Sequence, residues 1–131
     1  IRSCEAFGVD AIIIPNDRSV DITGTVVKAS VGTIEKVKII KVTNLNNTIK
    51  KLKDYGYWVV GTDMEGTVYT DIDYKMKTAL IIGNEGKGIS RLVSENCDYL
   101  AKIPMSGTVN SLNASVACGI FLAEINRSRG V

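Results

Sequence analysis

Residues 103–124, IPMSGTVNSLNASVACGIFLAE, carry the densest group of side chains that could bind a ligand. Between Pro104 and the apolar residues that begin at Ala114, the chain holds serine, glycine, threonine and asparagine but no charged residue. Uncharged hydrogen-bonding groups beside apolar residues are typical of a pocket for a small molecule with polar and apolar parts. A helix N-cap at Asn110 or Ser111 would explain one or two of these residues and leave the others without a reason.

Composition limits the class of protein that can surround this segment. The 131 residues are 45% hydrophobic and 23% charged, which is ordinary for one globular domain with a substantial core. Three scattered cysteines and no histidine argue against a metal site and against histidine-based triads, and they fit the reducing cytoplasm. A net charge of +2 gives no argument for nucleic acid. No apolar run approaches the ~20 residues that span a bilayer, so no membrane association is expected.

The elements that must position the polar segment alternate along the chain. Several predicted strands are apolar on successive residues, which is typical of strands that are covered on both faces. We therefore expect an α/β fold, with a parallel sheet and helices on each side. Strands are predicted at residues 11–15, 37–42, 57–61, 78–83 and 98–104, and helices at 48–55 (with Ile49, Leu52 and Tyr55 facing inward), 89–96 and 112–128.

Four of these predicted strands end at or next to a short stretch with small or polar residues. These stretches begin at Thr43, Gly61, Gly83 and Met105, which Asn44, Thr62, Asn84 and Ser106 follow. In open parallel sheets, ligands bind beyond the carboxyl ends of the strands. The sequence therefore predicts a ligand site along this edge.

The glycine-rich segment GNEGKGIS, residues 83–90, resembles a phosphate-binding loop but has the wrong spacing. A P-loop needs four residues between its first glycine and the Gly-Lys pair, and a dinucleotide fingerprint needs GxGxxG. A flexible strand-to-helix turn explains Gly86 and Gly88, but it gives no reason for Glu85 between glycines.

Three blocks of the sequence together resemble the SpoU-type RNA 2′-O-methyltransferases of the SPOUT superfamily. These blocks are IRSCEAFGVDAIIIP, LIIGNEGKGIS and IPMSGTVNSLNASVA. The segments between them are similar to the bacterial 23S rRNA guanosine-2′-O-methyltransferase branch. The resemblance covers essentially the whole chain. The family's opening motif begins with Asn-x-Gly before the helix arginine, and this chain starts after that point.

The resemblance implies an α/β-knot fold, in which the C-terminal part of the parallel sheet is tied in a trefoil knot. It also implies that S-adenosylmethionine binds, bent, inside the knot. Gly83, Ile103 and Leu112 match the family's cofactor-binding residues, and Thr43, Gly61 and Met105 lie on neighbouring loops.

The implied reaction is an in-line displacement in which a ribose 2′-hydroxyl attacks the sulfonium methyl and loses its proton. Arg2 matches the family's helix arginine near the reacting ribose. Because a guanidinium is not readily deprotonated, we expect Arg2 to clamp a substrate phosphate rather than act as the base. Glu85 would orient Arg2 or hold its loop, while Ser111 and Asn113 would position the ribose or the methionine end of the cofactor.

The family resemblance also implies a homodimer through the closing helix, whose apolar face holds Leu112, Val116, Ile120 and Ala123. We expect residues 1–131 to be the catalytic domain, shortened at its N-terminus and without a preceding RNA-binding domain. A guanosine of 23S rRNA is the expected target. There are two alternatives. The substrate is a tRNA ribose, or the chain is an RNA-binding module that keeps the cofactor fold without activity.

Overall fold

The computed structural model of the chain describes residues 8–9, 11–15, 38–83, 89–107 and 114–130. The chain divides into two compact units, Ile1–Thr48 and Ile49–Val131. In the first unit, strands β1 (Ala11–Pro15) and β2 (Lys38–Val42) form a parallel pair. The predicted first strand is confirmed to the residue, and the second begins one residue later than predicted.

The second unit contains a three-stranded parallel sheet in the order β4-β3-β5. Its strands are β3 (Trp58–Val68), β4 (Thr78–Ile81) and β5 (Tyr99–Lys102). The order places β3 in the centre, with a parallel neighbour on each side. The predicted parallel sheet is therefore confirmed here, and β4 and β5 are both shorter than the sequence suggested.

Three α-helices accompany the strands in the described part of the chain. They are α1 (Leu45–Asp54), α2 (Arg91–Glu95) and α3 (Ala114–Ser128), and a short 3-10 helix (Tyr69–Asp71) follows β3. Ser90 caps α2, because its hydroxyl accepts a hydrogen bond from the backbone N–H of Val93. All three helices were predicted. The ends of α1 and α2 differ from the prediction by one to three residues, and α3 ends at Ser128 as predicted. The predicted start of α3 at residue 112 lies outside the described residues.

The core of the second unit confirms that the central strand is covered on both faces. Val59 and Val60 are both fully buried, at 0% exposure. Consecutive residues of a strand point to opposite faces of the sheet, so neither face of β3 meets solvent at this point. Phe121 and Ile125 of α3 and Tyr74 are also buried.

Strand β3 is longer than the sequence predicted. The prediction ended it at Gly61, but the strand continues to Val68 with an irregularity between Thr62 and Thr67, both of which lie opposite Ala101 of β5. Residues 63–66 therefore form an excursion from the ladder, after which β3 pairs with β5 again. This stretch contains Asp63, Glu65 and Gly66, and acidic residues and glycine have low strand propensity. The sequence pattern therefore predicted no strand beyond Gly61.

Helix α1 begins earlier than predicted because Asn44 caps it. The side-chain oxygen of Asn44 accepts a hydrogen bond from the backbone N–H of Asn47 at 3.1 Å. Ile49 faces inward as predicted, at 2% exposure, whereas Tyr55 is 74% exposed, so its predicted inward orientation was wrong. Tyr55 follows the last residue of α1, and Gly56, at a φ of +89°, ends the helical path in the left-handed conformation that glycine adopts readily.

The C-terminal end of α3 is attached to the segment between β3 and β4. The Arg129 guanidinium donates to the backbone carbonyls of Tyr74 and Met76. Glu124, at 7% exposure, accepts two hydrogen bonds from Arg127 at 2.6 and 2.9 Å, which lower the pKa of its carboxyl. Burial raises the pKa of Tyr74 to about 12, with the charge of Glu124 adding to the shift. The Tyr74 hydroxyl therefore stays protonated as it donates to the Tyr69 carbonyl at 2.6 Å.

The end of the excursion in β3 needs glycine at position 66. A Cβ atom there would lie 2.5 Å from the backbone oxygen and 2.6 Å from the backbone carbon of Leu100. Because those atoms belong to the paired strand β5, they cannot rotate away as a side chain would. Gly66→Ala should lower the free energy of unfolding by ~1–3 kcal/mol, measured by urea denaturation.

Gly107→Ala is the matched control for this substitution. A Cβ atom at Gly107 would have no neighbour within 4 Å in the described part of the chain, and the change should leave the free energy of unfolding nearly unaltered. Equal effects of the two substitutions would contradict the close approach at Gly66.

Candidate functional site

The carboxyl edge of the three-stranded sheet brings together several residues that the sequence singled out. Gly61 of β3 is paired with Ile81 of β4 on one side and with Leu100 of β5 on the other. Gly83 follows the end of β4, and Ile103 follows the end of β5. Because all three strands are parallel, these residues lie along one edge, as the sequence predicted.

A hydrogen bond joins two of the strand ends. The backbone N–H of Gly83 donates to the Thr62 hydroxyl oxygen at 3.3 Å. Thr62 is the last residue of β3 before the excursion. The contact links the chain beyond β4 to the central strand at the point where the ladder between β3 and β4 has ended.

Gly61 has a different position from the one that the sequence assigned. It lies inside β3 rather than at the end of its strand, and it is buried. A Cβ atom at this position would lie 2.6 Å from Sγ of Cys97 and 2.8 Å from Cδ1 of Ile89. Glycine at position 61 thus makes room for side chains of the second unit. Its role as a cofactor-binding residue stays a prediction.

The segment that follows β5 is open to solvent. Ile103 is half-buried, and residues 104–107 are exposed, with Met105 at 38%. This stretch contains no charged residue and no regular secondary structure. It combines apolar surface with small polar groups at the sheet edge, which is what the sequence predicted for a small-molecule site.

The other predicted site residues lie either in the first unit or outside the described residues. Thr43 belongs to the first unit, where it is exposed between β2 and α1. The trefoil knot also stays a prediction, since it depends on the path of undescribed residues. The predicted site residues outside the described ranges are Arg2, Glu85, Ser111, Leu112 and Asn113.

The excursion of β3 is a feature of this edge that the sequence analysis missed. The Asp63 carboxylate accepts a hydrogen bond from the backbone N–H of Glu65 at 2.8 Å, which closes a local turn. Met64 at the tip is 57% exposed. Aspartate and glycine both favour turns, and Asp63 is followed by Gly66 three residues later. This pair is the sequence signal that could have revealed the interruption.

Cys97 is the described thiol that contacts this region, and its surroundings keep it unreactive. Burial raises its pKa to about 11, and the nearby Asp98 charge raises it further. The thiol donates a hydrogen bond to the backbone carbonyl of Val93 at 3.3 Å. Since the thiolate is the nucleophilic form, Cys97 is a packing residue rather than a nucleophile.

The described residues contain no group of side chains that could hold a metal ion. Within the same ranges, no helix has the length and apolar character that a membrane span requires.

The fold is that of an α/β protein whose parallel strands end along one edge. The comparisons with known proteins identify the family. Residues 1–123 match the SpoU rRNA Methylase family. The chain belongs to this family, as the sequence blocks indicated.

A relative from Staphylococcus saprophyticus, which carries the name of a TrmH family tRNA/rRNA methyltransferase, is 52% identical over 130 residues. The match covers 98% of this chain and 52% of the relative. The chain thus spans about half the length of the curated relatives that it matches.

Two solved structures are similar over 98% of this chain. The SpoU methyltransferase AviRb from Streptomyces viridochromogenes, in complex with the cofactor AdoMet, is 30% identical with a TM-score of 0.88, and 53% of it is covered. The A. aeolicus TrmH/SpoU tRNA modifying enzyme is 33% identical with a TM-score of 0.84, and 66% of it is covered. These similarities confirm the predicted fold class, a parallel sheet flanked by helices.

Proposed function

We propose that this chain is the catalytic part of an S-adenosylmethionine-dependent RNA methyltransferase that modifies a ribose 2′-hydroxyl. The observation that carries the proposal is the shared carboxyl edge of β3, β4 and β5. Gly83 and Ile103 follow two of its strands there, within a chain of the SpoU family. A structural relative at 30% identity was solved with AdoMet, which supports the cofactor.

The residues at this edge fit such a cofactor. Adenosine and methionine need backbone hydrogen-bonding groups, apolar walls and room for a close approach. Ile103 and Met105 offer partly exposed apolar surface, and the space at the Cβ position of Gly107 is open. Gly83, Ile103 and Leu112 would hold the cofactor, with Thr43, Gly61 and Met105 as further contacts. When bound, S-adenosylmethionine supplies an electrophilic methyl group.

The chain's own task is then to position a ribose and help its hydroxyl to lose a proton. Arg2 would grip a substrate phosphate and polarise the hydroxyl, because its guanidinium makes two-pronged contacts and stays charged. Glu85 would orient Arg2 or hold its loop, and Ser111 and Asn113 would position the ribose or the methionine end of the cofactor. Positioning of this kind can supply much of the catalysis.

Ribosomal RNA is the substrate that we favour, with a guanosine of 23S rRNA as the target in the cytoplasm. The family is named for rRNA methylation, and the intervening sequence is similar to the 23S rRNA branch. A tRNA substrate is the second candidate, since the A. aeolicus relative is a tRNA modifying enzyme.

Primer-extension mapping in a deletion strain should identify the target. We expect one 2′-O-methyl stop to disappear from 23S rRNA and to return when the gene is restored. The same mapping on tRNA serves as the comparison. Loss of a stop from tRNA with unchanged rRNA would exclude the rRNA assignment, and unchanged methylation of both would contradict RNA methylation as the function.

The proposed role of Arg2 can be tested in the full-length protein. Arg2→Ala should lower kcat at least tenfold and leave S-adenosylmethionine affinity nearly unchanged, because it removes a contact to RNA rather than to the cofactor. Arg2→Lys should rescue little, since an ammonium does not reproduce the two-pronged contact.

Lys50→Ala is the control for these arginine variants. It removes a positive charge from an exposed position of α1 and should retain full activity. Unchanged turnover in Arg2→Ala would show that the arginine has no part in catalysis.

We also propose that the protein forms a homodimer through α3. Val116 is 51% exposed, Ala123 is exposed and Ile120 is half-buried, whereas Phe121, on the other side of the helix, is 1% exposed. The helix thus has an apolar stripe in addition to the face that packs within its own unit. This stripe supports the proposed interface.

Sedimentation at micromolar concentration should report a dimer, and Val116→Lys should shift it towards monomer. Arg91→Lys on α2 alters an exposed residue of another helix and should leave the dimer intact. A wild-type monomer across this concentration range would remove the proposal.

A further inference from the structure

We propose that Thr62 is a positioning residue for the candidate cofactor site, where its hydroxyl holds the backbone of Gly83 at the end of β4. The inference rests on the proposed function, because it concerns the ligand that Gly83 would meet. Thr62 itself would not contact the reacting atoms.

The Thr62 side chain makes its hydrogen bond just beyond the point where backbone pairing between β3 and β4 ends. The last paired residues of β3 and β4 are Gly61 and Ile81. One residue further along β3, the Thr62 hydroxyl accepts the N–H of Gly83, which lies two residues beyond Ile81. A side chain of the central strand therefore fixes the chain that leaves β4, in place of a further backbone pair.

Holding the N–H determines which group of Gly83 is left for a ligand. A backbone amide has a single donor, and Thr62 uses it. Gly83 can then meet a ligand through its carbonyl oxygen, which is an acceptor. The ligand group at this point would be a donor such as a hydroxyl or an amino group, and both occur in adenosine.

A second explanation for threonine at position 62 is that the strand needs a β-branched residue there. Substitutions can distinguish this explanation from the positioning role. Threonine is a good strand residue because it is β-branched, and valine has the same shape and strand propensity without the hydroxyl. If position 62 needs only a β-branched residue, valine will replace threonine without loss. If the hydroxyl holds Gly83, serine will replace threonine and valine will not.

Thr62→Val in the full-length protein should weaken binding of S-adenosylhomocysteine about 3- to 10-fold by calorimetry, as expected for one neutral hydrogen bond. Thr62→Ser should bind within about twofold of wild type, because it keeps the hydroxyl. Thr70→Val makes the same chemical change at an exposed residue of the 3-10 helix and should bind as wild type does.

Hydrogen exchange of the Gly83 amide provides a second measurement that needs no ligand. Exchange should be faster in Thr62→Val than in wild type, and unchanged in Thr62→Ser and Thr70→Val. Thr62→Ala should repeat the valine result in both measurements, which guards against an effect of valine on folding.

Three results would overturn the inference. If wild type binds S-adenosylhomocysteine and Thr62→Val binds it with the same affinity, Thr62 has no positioning role and the proposed function stands. Equal losses in Thr62→Ser and Thr62→Val would show that the effect does not come from the hydroxyl. Failure of the folded wild-type protein to bind S-adenosylhomocysteine would contradict the proposed function together with this inference.

Discussion

The two-sided pairing of β3 is the constraint on which the rest of the second unit depends. At Val60 and Gly61 the strand is hydrogen-bonded to β4 and to β5, and Val59 and Val60 are fully buried on its opposite faces. Burying a valine side chain stabilises the folded state by about 1.5–3 kcal/mol, so this short stretch is a principal part of the core. The parallel direction of all three strands then places their carboxyl ends along one edge, where the candidate site lies.

Charged groups support this arrangement away from the candidate site. The Asp98 carboxylate accepts the backbone N–H of Val59 at 2.8 Å and lies 3.4 Å from the Lys53 ammonium. It thereby joins the start of β5 to β3 and to the end of α1. After α3, the Arg129 guanidinium donates to the Tyr74 carbonyl in the segment before β4 and to the Thr78 hydroxyl at the start of β4. In the described part of the chain, Thr62, Gly83 and residues 103–107 bring uncharged groups to the carboxyl edge, and such groups suit the adenosine part of the proposed cofactor.

Sequence patterns predicted the parts of the fold that depend on local apolar runs. Strand β1 was found to the residue, because the four apolar residues that precede Pro15 stand between turn signals. The excursion in β3 was missed, since it depends on the approach of Gly66 to the backbone of Leu100, which is distant in the sequence, and no local pattern encodes that contact. The sequence placed Gly61 at the correct edge of the sheet, as a small residue near a ligand. Its close packing against Cys97 could not be predicted, because the two residues meet only in the folded chain. The knot could come only from the family resemblance, as knotted connections are rare exceptions among folds.

The most direct test of the account is methyl transfer itself, followed by the position of the methyl group. The full-length protein would be incubated with ribosomal RNA and S-adenosylmethionine labelled in its methyl group, and the RNA would then be hydrolysed in alkali. A 2′-O-methyl group blocks cleavage at its own nucleotide, since the free 2′-hydroxyl is the attacking group in that hydrolysis. If the acceptor is a ribose 2′-hydroxyl, the label should appear in an alkali-resistant dinucleotide. Label recovered in single nucleotides would place the methyl group on a base and would contradict the central claim.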